Sequence, residues 1–200
     1  MKLYYSPGAC SVSPHIALRE AGLSFQLERV DLKGKKTQTG ADYLRVNPKG
    51  YVPALELDNG QVLTEGAVIV QYIADLKPEA KLAPPNGTFE RVRLQEWLHF
   101  IGSELHKPYS PLYQATIPDD VKAWWRENKV VPRIDFLARS LEGKKFVMGE
   151  GFTVADGYLF TVLSWAKHVS VELGPVLQDY LRRIGQRPKV QEALKAEGLA

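Results

Sequence analysis

The chain contains one cysteine, Cys10, among 200 residues, so it cannot form an intramolecular disulfide. Any disulfide chemistry at this thiol must take its second sulfur from a ligand or from another molecule. Lone cysteines are more often inert core residues than reactive ones. The residues around Cys10 must therefore decide which role it has.

Long apolar runs and a secretory leader are also lacking. The longest uncharged apolar run, residues 158–166, is about half as long as the roughly 20-residue segment that spans a membrane. Residues 1–7 lack the long apolar core of a signal peptide. We therefore expect a soluble, cytoplasmic protein with no membrane partner.

A strong excess of one charge sign is lacking too. The 26 basic and 23 acidic residues give a net charge of +3 and are scattered along the chain without a basic block. This pattern does not favour nucleic-acid binding. The hydrophobic fraction of 44% is typical of globular proteins, and the length suits one large domain or two small ones.

The first 76 residues predict strands and helices in the order of the thioredoxin fold. A β-prone run is broken by Pro7-Gly8-Ala9, and a helix follows from near Cys10 to Gly22, where glycine favours a stop. Asn59-Gly60 between two apolar runs is a strong hairpin signal. We predict strands at 2–6, 25–30, 54–57 and 61–63, a short helix near 41–46, and a closing helix over 64–76.

The remainder of the chain predicts helices alone. Residues 78–87 contain three prolines, an asparagine and a glycine, which favour a linker. Apolar periodicity then predicts helices at 89–107, 121–141, 153–169 and 176–184, with a tail helix after Pro188. The expected fold is an α/β thioredoxin-like domain over 1–77, a linker over 78–87, and an all-α domain over 88–200.

Cys10 falls at a strand-to-helix junction, where a thiol can be reactive. Unpaired N–H groups and the partial positive charge of the first helical turn favour a thiolate there. Cys10-Ser11-Val12-Ser13 has C-x-x-S spacing and lacks the resolving thiol of C-x-x-C motifs. This arrangement favours mixed-disulfide chemistry, whereas the alternative is a half-buried cysteine that only packs.

Three polar residues share one predicted face of the helix over 89–107. On an α-helix, His99, Ser103 and His106 lie opposite the apolar stripe. We expect them to line a cleft facing the first domain, where His106 could stabilise a thiolate as imidazolium or move a proton at neutral pH. The alternative is a solvated helix histidine.

Five short motifs occur in order along the chain. They are Lys2–Ser11, Asn47–Pro53, Leu63–Gly66, Glu104–Lys107 and Phe152–Asp156. Each is a weak signal alone, but together they resemble the beta class of bacterial glutathione transferases over essentially the whole chain. The resemblance implies an enzyme that conjugates glutathione to electrophiles, or exchanges thiols and disulfides through Cys10. It also implies a detoxification role, a homodimer and no metal.

The resemblance assigns roles in a glutathione site, with Cys10 and His106 as the catalytic residues. Val52, before a proline that is cis in this fold, would pair with the cysteinyl amide. The N–H of Gly66 and the carboxylate of Glu65 would hold the γ-glutamyl carboxylate and ammonium. The full expected glutathione-binding set is Cys10, Lys35, Tyr51, Val52, Glu65, Gly66, His99, Ser103, Glu104 and His106.

Within that set, Lys35 is the expected cation for the glycyl carboxylate, and His99 departs from the class. The class usually carries asparagine at the position of His99, so a titratable ring replaces an amide there. Thr153 and Asp156 have N-cap spacing, and we interpret them as structural. We expect Asp156→Ala to lower stability and leave glutathione affinity unchanged.

Three alternatives stay open at the level of sequence. Tyr4, Tyr5 or Ser11 could activate the glutathione thiol in place of Cys10, as hydroxyls do in other transferases. The enzyme could be a specialised dehalogenase of aromatic compounds, with an acceptor pocket formed by residues 106–113 and 165–168. A non-catalytic binding protein on the same fold is the third, although retention of the site residues argues against it.

Overall fold

Residues 1–200 are all described by the computed structural model, and their contacts divide them into two units. Unit 1 comprises Met1–Ala83 and Gln186–Ala200, and unit 2 comprises Pro84–Gly185. This division differs from the expected boundaries at the C-terminal end, because residues 186–200 belong to unit 1. No helix of the structure is both long enough and apolar enough to cross a membrane.

Unit 1 contains a five-stranded sheet in the order β3-β2-β1-β4-β5. The strands are β1 Lys2–Tyr5, β2 Gln26–Asp31, β3 Lys36–Thr37, β4 Ala54–Glu56 and β5 Val62–Thr64. Helices α1 Val12–Glu20 and α2 Gly66–Leu76 complete the expected thioredoxin-like order. β1 and β2 are parallel, whereas the other pairs are antiparallel.

The hairpin and the central strands confirm the sequence prediction, but β3 was not predicted. Ala54 pairs with Thr64 in the β4–β5 hairpin, and Gly60 at its turn has φ +81°. The two residues of β3 pair with Val30 and Asp31, and so short a strand carries no detectable alternation in sequence.

The C-terminal helix α9, Pro188–Ala196, belongs to unit 1 because buried polar contacts tie it to α1. His15 Nδ1 lies 2.8 Å from Glu197 Oε1, and both side chains are fully buried. Arg187 donates two hydrogen bonds to the Glu20 carboxylate, at 2.7 and 2.9 Å. These pairs join residues more than 160 positions apart, which local sequence patterns do not report.

Unit 2 is helical, as predicted. Its helices are α3 Phe89–Phe100, α4 Lys107–Tyr109, α5 Asp119–Trp125, α6 Val131–Leu141, α7 Val154–Ser164 and α8 Pro175–Gly185. α7 is the core helix, because ten of its residues, 154–163, are buried. Its apolar side chains on all faces explain why it has no clear polar stripe.

Two π-helical turns interrupt the predicted helices, each just before a proline. They span Ile101–His106, ahead of Pro108, and Arg126–Val130, ahead of Pro132. The N–H of Lys107 bonds to the carbonyl of Gly102, five residues back. Proline lacks an N–H and crowds the preceding turn, so a widened turn allows each helix to continue past it.

Candidate active site

The candidate residues of unit 1 meet at one edge of its sheet, and the strand directions explain why. β1 and β2 are parallel, so the segments after them, which contain Cys10 and Lys35, leave the sheet at the same edge. β4 is antiparallel to β1 and to β5, so Val52, just before β4, and Glu65, just after β5, lie there as well. Sheet topology thus gathers four segments that are distant in sequence.

Cys10 lies half-buried in the turn before α1, and its thiol contacts the predicted neighbour. Its Sγ donates to the carbonyl oxygen of Val52 at 3.1 Å. The Val52–Pro53 peptide is cis, as the resemblance predicted. Ser11 is fully buried, and its hydroxyl bonds to the backbone N–H and carbonyl of Ser6, both at 3.2 Å. This bracing holds the turn that carries the thiol.

Two of the three hydroxyl groups that sequence left as alternative activators are hydrogen-bonded to other residues. Tyr4 donates to Glu56 at 2.6 Å, and burial raises the pKa of its hydroxyl well above the ordinary value. Ser11 bonds to Ser6, and Tyr5 is buried with its ring beside that of His15. Cys10 is therefore the better candidate for the reactive group at this edge.

Lys35 and Tyr51 lie together beside the loop that leads into β4. The Lys35 ammonium donates to the carbonyl of Gly50 at 2.9 Å and lies 5.8 Å from the centre of the Tyr51 ring. The ring is 70% exposed, so it is open to a ligand. Tyr43 and Asn47 both donate to the carbonyl of Tyr51 at 2.7 Å and hold this loop in place.

Glu65 and Gly66 form the junction between β5 and α2. Glu65 has φ +70° and ψ +109°, a conformation that costs a non-glycine residue about 1–3 kcal/mol and that often marks a functional site. The carboxylate is 66% exposed and accepts a 2.6 Å hydrogen bond from Lys49. A Cβ added at Gly66 would lie 3.7 Å from Pro53, an ordinary contact. The N–H groups that begin α2 suit an anion.

His106 lies partly buried in unit 2, unlike the solvated helix histidine that sequence left as the alternative. The π turn directs it to α7, where its Nδ1 lies 2.8 Å from the Tyr158 hydroxyl. Its ring centroid is 4.9 Å from that of Trp165. Burial, with a smaller contribution from the Lys107 charge, lowers the pKa of His106 from 6.5 to about 4. The lowered pKa favours the neutral ring, which suits hydrogen bonding or proton transfer better than the imidazolium role.

His99 and Ser103 do remain on the surface of unit 2. Ser103 donates to the carbonyl of His99 at 2.9 Å, so these two predicted residues are adjacent. Glu104 accepts a 3.1 Å hydrogen bond from Arg133 of α6 and is 44% exposed. His106 is separated from this exposed pair because the widened turn breaks the α-helical spacing on which the shared face depended.

Thr153 and Asp156 lie at the start of α7, in the interior of unit 2. The fully buried Asp156 carboxylate accepts from the N–H of Val147, the N–H and hydroxyl of Thr153, and the Tyr180 hydroxyl, at 2.7–3.0 Å. Burial raises the pKa of Asp156, and the four donors oppose that rise. The arrangement is that of a structural cap, as sequence predicted.

The family of the chain follows from comparison with known proteins. The profile of the N-terminal domain of glutathione S-transferases matches residues 8–76, and that of the C-terminal domain matches residues 103–197. Glutathione S-transferase GstA of Escherichia coli O157:H7 is 44% identical over the full length of both chains. The chain belongs to the glutathione S-transferase family.

Solved structures agree with this glutathione S-transferase assignment and with the beta-class resemblance. The bacterial transferase BphK superposes with a TM-score of 0.97 at 56% identity. The beta-class transferase of Sphingomonas chungbukensis gives 0.96 at 50%, and a sphingomonad transferase gives 0.96 at 48%. Each match covers 100% of both chains. The protein is therefore a glutathione transferase with the two-domain fold of that family.

Sequence reasoning missed several residues that hold the candidate residues of each unit. Tyr43 and Asn47 hold the Tyr51 loop, Lys49 pairs with Glu65, and Tyr158 positions His106. The only available signal was that Asn47 and Lys49 lie inside the motif Asn47–Pro53. The partners of His106 come from α7, and nothing local to His106 identifies them.

Proposed function

We propose that this glutathione transferase uses Cys10 to exchange glutathione with disulfides and also conjugates glutathione to electrophiles. The observation that carries the proposal is the Cys10 thiol, 3.1 Å from the Val52 carbonyl at the sheet edge that also presents Glu65 and Lys35. The sphingomonad relative was solved in complex with glutathione. That complex supports glutathione as the co-substrate here.

The proposed reaction consists of two thiol–disulfide exchange steps. The Cys10 thiolate attacks the glutathione sulfur of a mixed disulfide, forms the Cys10–glutathione disulfide, and expels the other sulfur as thiolate. A second glutathione thiolate then attacks this adduct, which releases oxidised glutathione and restores Cys10. The chain has no second thiol to resolve the adduct, so it depends on external glutathione.

The glutathione backbone is expected to pair with Val52, its glycyl carboxylate with Lys35, and its γ-glutamyl end with Glu65 and the N–H of Gly66. The exposed carboxylate at Glu65 and the lysine ammonium supported by Gly50 are suited to these charges. Tyr51 would cover the ligand with its exposed ring. His99, Ser103, Glu104 and His106 stay proposed contributions from unit 2.

Aromatic acceptors are the electrophile class that unit 2 favours. The rings of His106, Tyr109 and Trp165, in the two segments expected to form the acceptor pocket, and the ring of Tyr158 on α7 make edge contacts 4.9–6.5 Å apart. Such a cluster is suited to flat apolar molecules. A dehalogenase would fit this class, although no side chain here identifies a halide site.

A cytoplasmic homodimer with a detoxification role completes the proposal, on the strength of the family. Several large apolar side chains of unit 2 are exposed, including Phe89 and Val92, which share a face of α3 at i, i+3 spacing. Such side chains are suited to a subunit interface. Light scattering during size-exclusion chromatography should give twice the 22.4 kDa chain mass. A mass of about 22 kDa would contradict the homodimer.

The decisive experiment measures the covalent adduct at Cys10 after incubation with oxidised glutathione. Wild type should gain the mass of one glutathione, and a reductant should remove it. Cys10→Ala should gain nothing while keeping part of its conjugating activity. An adduct on Cys10→Ala would refute the assignment.

Ser13→Cys provides a matched test of the monothiol step. Ser13 is 1% exposed and its hydroxyl has no hydrogen-bond partner. Its N–H donates to the carbonyl of Cys10 at 3.2 Å, so the two residues belong to one turn. A thiol there should resolve the adduct, so the mass gain of one glutathione should be replaced by an intramolecular disulfide. A stable adduct on this variant would contradict the expected placement of the two side chains.

A further inference from the structure

Lys49 is a charged residue at the sheet edge to which sequence assigned no role. Its ammonium lies 2.6 Å from Glu65 Oε1 and 3.1 Å from the Thr64 hydroxyl oxygen. A carboxylate oxygen and a hydroxyl oxygen are partners that an ammonium group prefers. The structure therefore shows an ammonium bound at Glu65, supplied by the protein itself.

The backbone of Lys49 is fixed, whereas its side chain is able to move away. Its N–H donates to Asn47 Oδ1 at 3.1 Å, and Asn47 is itself buried and bonded to the carbonyl of Tyr51. The Lys49 side chain is 53% exposed and has four flexible carbons. Release of its ammonium into water would thus leave the turn intact.

We propose that Lys49 is a specificity-determining residue that occupies the ammonium position of the γ-glutamyl group until glutathione displaces it. This inference rests on the proposed function, which assigns the ligand ammonium to Glu65. A ligand that carries its own ammonium replaces the contact that Lys49 loses. A ligand that lacks one offers Glu65 nothing in exchange, so Lys49 stays in place.

The size of the effect follows from the exposure of the pair. Glu65 is 66% exposed and Lys49 is 53% exposed, so water screens their attraction and only a modest part of it must be overcome. We expect removal of the Lys49 ammonium to tighten glutathione binding about two- to fivefold. Lys49 thereby lowers the affinity of the site for ligands that carry a γ-glutamyl amine, and it leaves the affinity for analogues without that amine unchanged.

The test is calorimetric titration of reduced glutathione, and of its analogue with glutaryl in place of γ-glutamyl, in the presence of a phosphine reductant. The variants are Lys49→Met and the matched control Lys189→Met. Lys189 forms a similarly exposed 2.7 Å pair with Glu192 and lies outside the proposed site, so it reports the loss of one positive charge. A third variant combines Lys49→Met with Glu65→Gln.

Lys49→Met should bind glutathione more tightly than wild type and Lys189→Met do, while the glutaryl analogue gains nothing. The gain should vanish in the Glu65→Gln background. Equal or weaker glutathione binding by Lys49→Met, or an equal gain for both ligands, overturns the inference and leaves the proposed function standing. Failure of wild type to bind glutathione overturns the proposed function and this inference with it.

Discussion

His106 shows how much a single side chain depends on its surroundings. Burial against Tyr158 and Trp165 lowers its pKa to about 4, although the residue lies in a polar stretch of sequence. A neutral imidazole can accept or donate hydrogen bonds at pH 7 but carries no charge to stabilise a thiolate. The start of α1 is another group that can stabilise a thiolate at Cys10.

The lowered pKa of His106 predicts a loss of stability in acid. The pKa of the histidine is near 6.5 in the unfolded chain, so the unfolded chain binds the proton more tightly than the folded one. The contribution of the neutral ring to stability is therefore present above pH 6.5 and is lost as the pH falls towards 4. Relative to His106→Asn, wild type should lose up to about 3 kcal/mol of unfolding free energy over that range. Denaturant unfolding at several pH values measures this.

The exposed His168 is the control for the acid experiment, because it lies in the same unit. The unfolding free energy of His168→Asn should change with pH by the same amount as that of wild type. If the unfolding free energy of His106→Asn also follows that of wild type, the His106 side chain is not buried as a neutral ring.

Individual residues determine where the helices of unit 2 widen and where α7 begins. The two π turns precede Pro108 and Pro132, and α7 begins where Asp156 collects four hydrogen bonds. These features affect whole elements. The first π turn sets the direction of His106, and Asp156 joins α7 to α8 through Tyr180. Element stability is thus separable from ligand contacts.

Asp156→Ala should lower the unfolding free energy by about 3–5 kcal/mol, because it leaves several buried donors without an acceptor. Asp135→Ala, at an exposed position of α6, should change stability by less than about 0.5 kcal/mol. Thermal and urea unfolding measure both. At a temperature where both are folded, glutathione affinity should match wild type, and weaker binding by folded Asp156→Ala would contradict a structural role.

At the scale of the whole molecule, the end of the chain stabilises its beginning. Glu197 accepts from the N–H of Gly8 at 3.1 Å and pairs with His15, so residues after α9 brace the turn that leads to Cys10. Arg187 adds its pair of bonds to Glu20. The thioredoxin-like unit is therefore discontinuous in sequence.

Glu197→Ala should destabilise unit 1 by about 2–4 kcal/mol, because buried His15 and the Gly8 N–H lose their partner. Hydrogen exchange should rise across α1 and residues 8–11. Glu192→Ala on α9 removes exposed contacts with Lys189 and Arg19, and should change stability by less than about 0.5 kcal/mol. Equal effects of the two variants would show that burial of the His15–Glu197 pair is unimportant.

The sequence by itself determined the fold class, most of the elements, and the candidate residues of unit 1. Strand alternation, the Asn59-Gly60 turn and helical periodicity are local signals, because they arise from contacts between near neighbours. Linear motifs likewise identified Cys10, Val52 and Glu65. The two π turns were not predicted, although a proline follows each of them.

Only the tertiary structure decided which side chains meet. The placement of α9 with unit 1, the orientation of His106 towards Trp165, and the Lys49–Glu65 pair all join residues from separate elements. Such contacts, and the pKa changes they cause, depend on burial by distant parts of the chain. Local sequence carries no record of that burial, so these features had to be observed.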